Sequence, residues 1–249
     1  MPYREKRIYS GDILEIEIYP ISKIERKQRR KKKQKESQKK QKNLNDKNAK
    51  KHLIRLINTN FKKRDLHVTL TYNKNNLPKS EYEARKDVAN FIRRLKCYIK
   101  KNGLGELKYI AVIEYKESTG EKEIRLHHHL VINGIVDRDT IEEVWKKGYA
   151  NADRLKPDDF GFEALARYIS KDPKGQKRWT QSRNLKQPTI KVNDYKYSGR
   201  KVYEIYRGER DIAKNYTDYL LSDYKQEVND ITAGIHINIK MRKRINNKS

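Results

Sequence analysis

Cysteine is nearly absent from this chain: its 249 residues include one, Cys97. A lone thiol closes no intrachain disulfide. Its place in an amphipathic helical pattern fits a core or flank residue in a reducing compartment. Long apolar runs are also missing. No stretch approaches the roughly 20 residues a membrane-spanning helix needs, and the N-terminus lacks an apolar secretion signal. The expectation is a soluble, cytoplasmic protein with no membrane partner. Acidic side chains are scarce, with 33 Asp+Glu against 60 Lys+Arg and a net charge of +27. That surplus points to a polyanion, nucleic acid first and an anionic membrane surface second. There is no internal repeat and no P-loop signature, so no attached helicase domain is expected.

What is present divides into four stretches: an N-terminal strand region (1–22), a basic arm (23–51), a core (52–185) and a C-terminal extension (186–249) packed on that core. Between Ser10 and Pro20, Leu14, Ile16 and Ile18 alternate with Glu15 and Glu17, as in a half-buried strand. From Lys23 to Lys51 there are 15 Lys/Arg and 3 acidic residues, so this run supplies 12 of the 27 net charges. With so few apolar residues it buries no face. It reads as a solvated arm and equally as a phosphate-tracking one, with Arg30, Lys31 and Lys32 at its centre.

A helix is expected from Asn45 or Asp46, and Leu66–Tyr72 alternates as a strand. Ser80 with Glu83 forms a capping box for a long helix carrying Val88, Phe91, Ile92, Leu95 and Ile99, which Asn102-Gly103 ends. Strands over Lys108–Tyr115 and Ile124–Asn133 read as a hairpin turning at Ser118-Thr119-Gly120. A short helix holds Ile141, Val144 and Trp145, and another runs from about Phe160 to Lys171, before Pro173. Further on, a helix is expected around Asp211–Tyr224 and a strand near Ile235–Met241. Strands linked both by helices and by a hairpin predict an α+β fold, an antiparallel central sheet flanked by helices.

The chemistry centres on His127-His128-His129, three of only six histidines. On a strand His127 and His129 share one face and His128 takes the other. The pair reads as ligands of a divalent metal, against the alternative of a solvated strand end with His128 packed. Glu114, on the partner strand, supplies a carboxylate; mixed nitrogen and oxygen donors suit Mg2+ or Mn2+ when phosphate completes the shell. Tyr168 stands out among 17 tyrosines by its setting, Arg167-Tyr168-Ile169-Ser170-Lys171. It lies a quarter turn from the helix's buried stripe, with Lys171 one turn on along the same side. A phenol so placed can act as a nucleophile, and the ammonium can stabilise a phenolate or hold a phosphate. Lys174, Arg178 and Arg183, in the basic loop after this helix, are further candidates for DNA contact.

Taken together, Leu66–Tyr72, Ile113-Glu114-Tyr115, His127-His128-His129 and Tyr168-x-x-Lys171, in this order, resemble the HUH endonuclease superfamily. The nearest likeness is to replication-associated proteins of rolling-circle phages and plasmids and their bacterial chromosomal relatives. Ala164–Gly175 is the most specific stretch, and the resemblance spans about Leu66 to Arg183. It implies a ferredoxin-like or RRM-like arrangement and a bacterial host cell. It also implies a metal-dependent nickase acting on single-stranded or hairpin origin DNA, with host replication helicase and polymerase as partners. Its motif histidines correspond to His127 and His129, its metal carboxylate to Glu114, and its nucleophile and lysine to Tyr168 and Lys171. Attack by the tyrosine would leave a 5′-phosphotyrosyl enzyme and a free 3′-hydroxyl. No second tyrosine follows one helical turn after Tyr168, unlike the two-tyrosine members. A transposase or mobilisation relaxase with the same chemistry fits the same motifs, and a non-catalytic nucleic-acid-binding protein fits the charge alone.

Deleting Lys27–Lys42 should weaken single-stranded DNA binding and flatten its salt dependence, by a slope of roughly 0.7 for each phosphate no longer neutralised. A titration of affinity against salt concentration checks this. An unchanged slope would mean that the arm tracks no phosphates.

Overall fold

A computed structural model describes residues 2–22, 39–114, 126–171, 178–229 and 233–244. In chain order it begins with β1 (Tyr3–Ser10), β2 (Ile13–Pro20), α1 (Lys39–Asn60), β3 (Leu66–Thr71) and α2 (Glu81–Lys101). It continues with β4 (Tyr109–Glu114), β5 (His127–Ile132), α3 (Arg138–Trp145), β6 (Ala150–Arg154) and α4 (Glu163–Ile169). It ends with β7 (Thr180–Gln181), β8 (Thr189–Asn193), α5 (Gly199–Tyr206), β9 (Tyr219–Val228) and β10 (Ile235–Lys243). The strands form two five-stranded sheets, β8-β1-β2-β10-β9 and β6-β3-β5-β4-β7. Every pairing within them is antiparallel. The fold is thus α+β, with antiparallel sheets flanked by helices. It divides into one compact unit of residues 1–59, 158–161 and 187–249, and a second of 60–157 and 162–186. No helix among the described residues is long and apolar enough to cross a membrane.

In the second unit, sequence pattern and packing agree closely. Leu66, Val68 and Leu70 of β3 and Leu130 and Ile132 of β5 join one core with Val88, Phe91 and Leu95 of α2 and Ile141 and Trp145 of α3. The expected capping box is half formed. Ser80 Oγ accepts from the Glu83 amide, while the Glu83 carboxylate accepts from the Lys79 amide (2.7 Å), one residue earlier than in the ideal box. Asp137 caps α3 through the Thr140 amide (2.7 Å). The Trp145 indole N–H donates to the Thr71 carbonyl at 2.7 Å, so α3 pins the end of β3.

The first unit departs most from expectation. The helix foreseen around Asp211–Tyr224 is a 3-10 turn at Ala213–Asn215 followed by strand β9. Apolar residues there recur at helical spacing, but β9 is an exposed edge strand that shows no alternation, and pairing with β10 decides its conformation. Helix α1 begins at Lys39 rather than near Asn45, consistent with the good helix propensity of Lys and Gln. The hairpin turn at Ser118-Thr119-Gly120 lies outside the described residues.

The core of this unit contains a carboxylate. Glu5 is fully buried on the same face of β1 as Tyr3, a face lined by Ile16 and Ile18. It accepts hydrogen bonds from Lys196 Nζ (2.6 Å) and the Tyr216 hydroxyl (2.9 Å), and Arg7 Nε stands 3.2 Å away. A buried charge persists only when so paired. The same carboxylate and burial push the Tyr216 phenol well above its usual range, burial being the larger effect. Glu5→Gln keeps the shape but removes the charge from these bonds. It should destabilise the protein by about 1.5–3 kcal/mol, read as a lower urea midpoint. An unchanged midpoint would show that the charge contributes nothing there.

Candidate active site

Antiparallel register places the chemistry on one face of the second unit's sheet. Thr71 and Glu114 flank His127 from either side, and Thr69 and Val112 flank His129. Alternation then sends His67, Thr69, His127, His129 and Glu114 to one face, and His128 to the face covered by α2 and α3. His128 is fully buried there, against the rings of Tyr72 and Trp145. Its Nε2 lies 2.7 Å from the Tyr72 hydroxyl. Burial, with neighbouring positive charge, pushes the His128 imidazole down to about 3.

His129 is the hub of the other face. Its Nε2 lies 3.1 Å from Glu114 Oε2, and its Nδ1 lies 3.3 Å from His67 Nε2 and 3.4 Å from Thr69 Oγ1. His67 stacks on His129 with ring centroids 5.4 Å apart. Burial first, and His129 second, push the His67 imidazole down to about 4, so it stays neutral at physiological pH. Sequence reasoning placed His67 inside the Leu66–Tyr72 strand but gave it no role. Its spacing of two from Thr69, on a strand pairing with the histidine strand, was the available signal.

Helix α4 brings Tyr168 onto this cluster. Its ring meets His129 edge-on at 5.3 Å and His67 at 6.4 Å, while 56% of the residue stays exposed. Phe162, Ala166 and Ile169 are buried beneath this helix, and Leu165 is half-buried. Lys171 is exposed just beyond the helix, its amide donating to the Tyr168 carbonyl (3.3 Å). Among the described residues no three His, Cys, Asp or Glu side chains converge as a ready-made metal cluster. The donor chemistry nevertheless suits a divalent ion at His129 and Glu114. Their 3.1 Å separation is close to that of two neighbouring donors each about 2.1 Å from one ion. A ligating Nε2 requires the proton on Nδ1, where His67 Nε2 and Thr69 Oγ1 are placed to accept it. His127 lies half-buried on the same face, level with Glu114.

The basic candidates fall elsewhere. Arg178 and Arg183 line cavities between α2 and the β4–β7 edge, on the helical side of the sheet. Arg30, Lys31, Lys32 and Lys174 lie outside the described residues.

Protonation of the unfolded chain's imidazoles begins near 6.5, whereas folded His67 and His128 resist it down to about 4 and about 3. Between those values the unfolded state binds more protons, so stability should fall as pH drops below 6.5. Urea midpoints at about pH 7.5 and about pH 5.5 should show this fall, and His128→Gln should make it shallower. A pH-independent midpoint would contradict it.

No curated protein and no solved structure matches the chain. The segment that builds this whole site, residues 65–173, matches the family model of the replication-associated protein ORF2/G2P.

Proposed function

We propose that the protein is a metal-dependent single-stranded DNA nickase that initiates rolling-circle replication. The family match over residues 65–173 supports the replication-initiator role. The observation that carries the chemistry is the exposed Tyr168 phenol lying against His129, which in turn contacts Glu114. His127, His129 and Glu114 would hold one Mg2+ or Mn2+, which when bound would polarise the scissile phosphodiester.

Tyr168 Oη attacks the phosphorus. The bond to the 3′ oxygen breaks as the new Oη–P bond forms, giving a 5′-phosphotyrosine and a free 3′-hydroxyl. The phenolic proton is lost to solvent and the departing 3′ oxygen takes one up. Lys171, two residues past the end of the helix, would stabilise the negative charge that gathers on the attacked phosphate. His67 and Thr69 hold the His129 ring in the tautomer and orientation this requires.

Tyr168→Phe removes one hydroxyl from an exposed ring, so folding should survive. It should bind single-stranded DNA yet form no covalent adduct on a denaturing gel. The wild-type adduct should map to the peptide containing Tyr168 and vanish with a divalent-cation chelator. Lys171→Ala should slow adduct formation and leave some. His129→Ala should abolish cleavage with DNA binding nearly intact. A full adduct yield from Tyr168→Phe would move the nucleophile elsewhere.

A further inference from the structure

Across the sheet from the histidines, between α2 and the β4–β7 edge, runs a groove of about 700 Å³. Its floor is apolar: Val88, Ala89 and Ile92 of α2 face Ala111 and Ile113 of β4. Ala111 and Ile113 alternate with Val112 and Glu114, so this groove and the catalytic face occupy opposite sides of one strand. Arg93, Lys96, Lys100 and Arg178 line it, and among the described residues no carboxylate does. A second cavity of about 750 Å³ shares Lys96, Lys100 and Tyr109 and extends the groove to Arg183, with one carboxylate, Glu106, in its lining. From Arg85 to Lys100 the helix wall is about 22 Å long at 1.5 Å per residue, enough for several nucleotides.

Two aromatic rings stand in this basic channel. Trp179 is half-buried, and its indole N–H donates to Gln181 Oε1 at 2.7 Å, which fixes the ring plane. Tyr109 carries Lys96 Nζ 5.6 Å above its ring centroid. A nucleobase has flat apolar faces that need such a platform, and the phosphates on either side of it need cations. An apolar floor, pinned aromatic rings and a cationic lining are the features of a single-strand site. An acidic peptide would use the cations but has less need of the rings.

We propose that this groove is a second single-stranded DNA site, holding a flanking stretch of the strand whose scissile phosphodiester lies on the histidine face. This rests on the nickase reading above. It assigns Trp179, Tyr109, Arg93 and Lys96, none of which touches the catalytic cluster, to strand retention.

The test uses the full chain carrying Tyr168→Phe, so that bound DNA is not cut, and an oligothymidylate of about 20 nucleotides, longer than the roughly 4–16 that one single-strand site covers. Binding should quench tryptophan fluorescence. The other tryptophan, Trp145, is fully buried in the core, so the quenched fraction reports Trp179. Trp179→Leu should abolish the quenching and weaken binding about tenfold or more, and Trp179→Tyr should restore most of the affinity. Arg93 and Lys96 are exposed on α2, so Arg93→Glu with Lys96→Glu should leave folding intact. That double variant should weaken binding and lower the salt slope by roughly 0.7 for each phosphate released.

Wild-type affinity and slope in the charge-reversed variant would overturn the proposal. Quenching by polyglutamate but not by DNA would overturn it too, and reassign the groove to an acidic protein. The two readings fail separately. No covalent adduct from the wild-type chain sinks the nickase reading while leaving the quenching measurable. An adduct with unaltered binding in the groove variants sinks the groove alone.

Discussion

Everything at the candidate site depends on the register of β5 between β3 and β4. Side chains alternate with a period of two, so a slip of one residue would bury His127 and His129 under α2 and turn His128 outward. Several local interactions oppose that slip. His128 sits in a fully buried aromatic pocket with its Nε2 on the Tyr72 hydroxyl. Leu130 and Ile132 occupy the same core. Trp145 holds the Thr71 carbonyl directly opposite His127. The histidine that takes no part in the proposed chemistry is therefore the one that positions the other two.

The outward face solves a different problem. The proposed chemistry needs imidazole, carboxylate and phenol to meet within hydrogen-bond and ring-contact distance while remaining open to a polyanion. Strands β3, β4 and β5 supply the first two from a rigid sheet, and α4 lays Tyr168 across them with more than half its surface exposed. His67 stays neutral because burial and a neighbouring imidazole both disfavour its charged form. A neutral ring can accept a proton from His129, which a cation could not.

Charge is handled separately in the two units. In the first, the buried carboxylate of Glu5 gathers Lys196 and Arg7 inward, where water cannot reach it. In the second, cations line the outer side of α2 and the chain just before β7, and among the described residues no carboxylate enters the main groove. The same surplus of Lys and Arg thus acts as an internal staple in one place and as an external surface in another.

Much of the second unit was legible in the residue order. The strand–helix alternation, the Ser80 cap, the apolar stripe of α2 and the opposed faces of the three histidines follow from periods of two and 3.6 and from local hydrogen bonding. The meeting of Glu114 with the histidine strand was also foreseeable, because hairpin pairing is a short-range rule, whereas only the family resemblance joined Tyr168 to them. The first unit was far less legible. Strand β8 is set by β1, 180 or more residues earlier, and the exposed edge strand β9, which shows no alternation, is set by pairing with β10 rather than by its own pattern. Glu5 reads as one more surface charge until Lys196 and Tyr216, some 191 and 211 positions away, enclose it. His67 as the partner of His129, and Trp179 facing α2, likewise arise from side chains meeting across strands and elements. Local pattern determined which face each residue takes; which residues meet there was decided only by tertiary packing, because burial and contact are properties of neighbours that the chain brings together from afar.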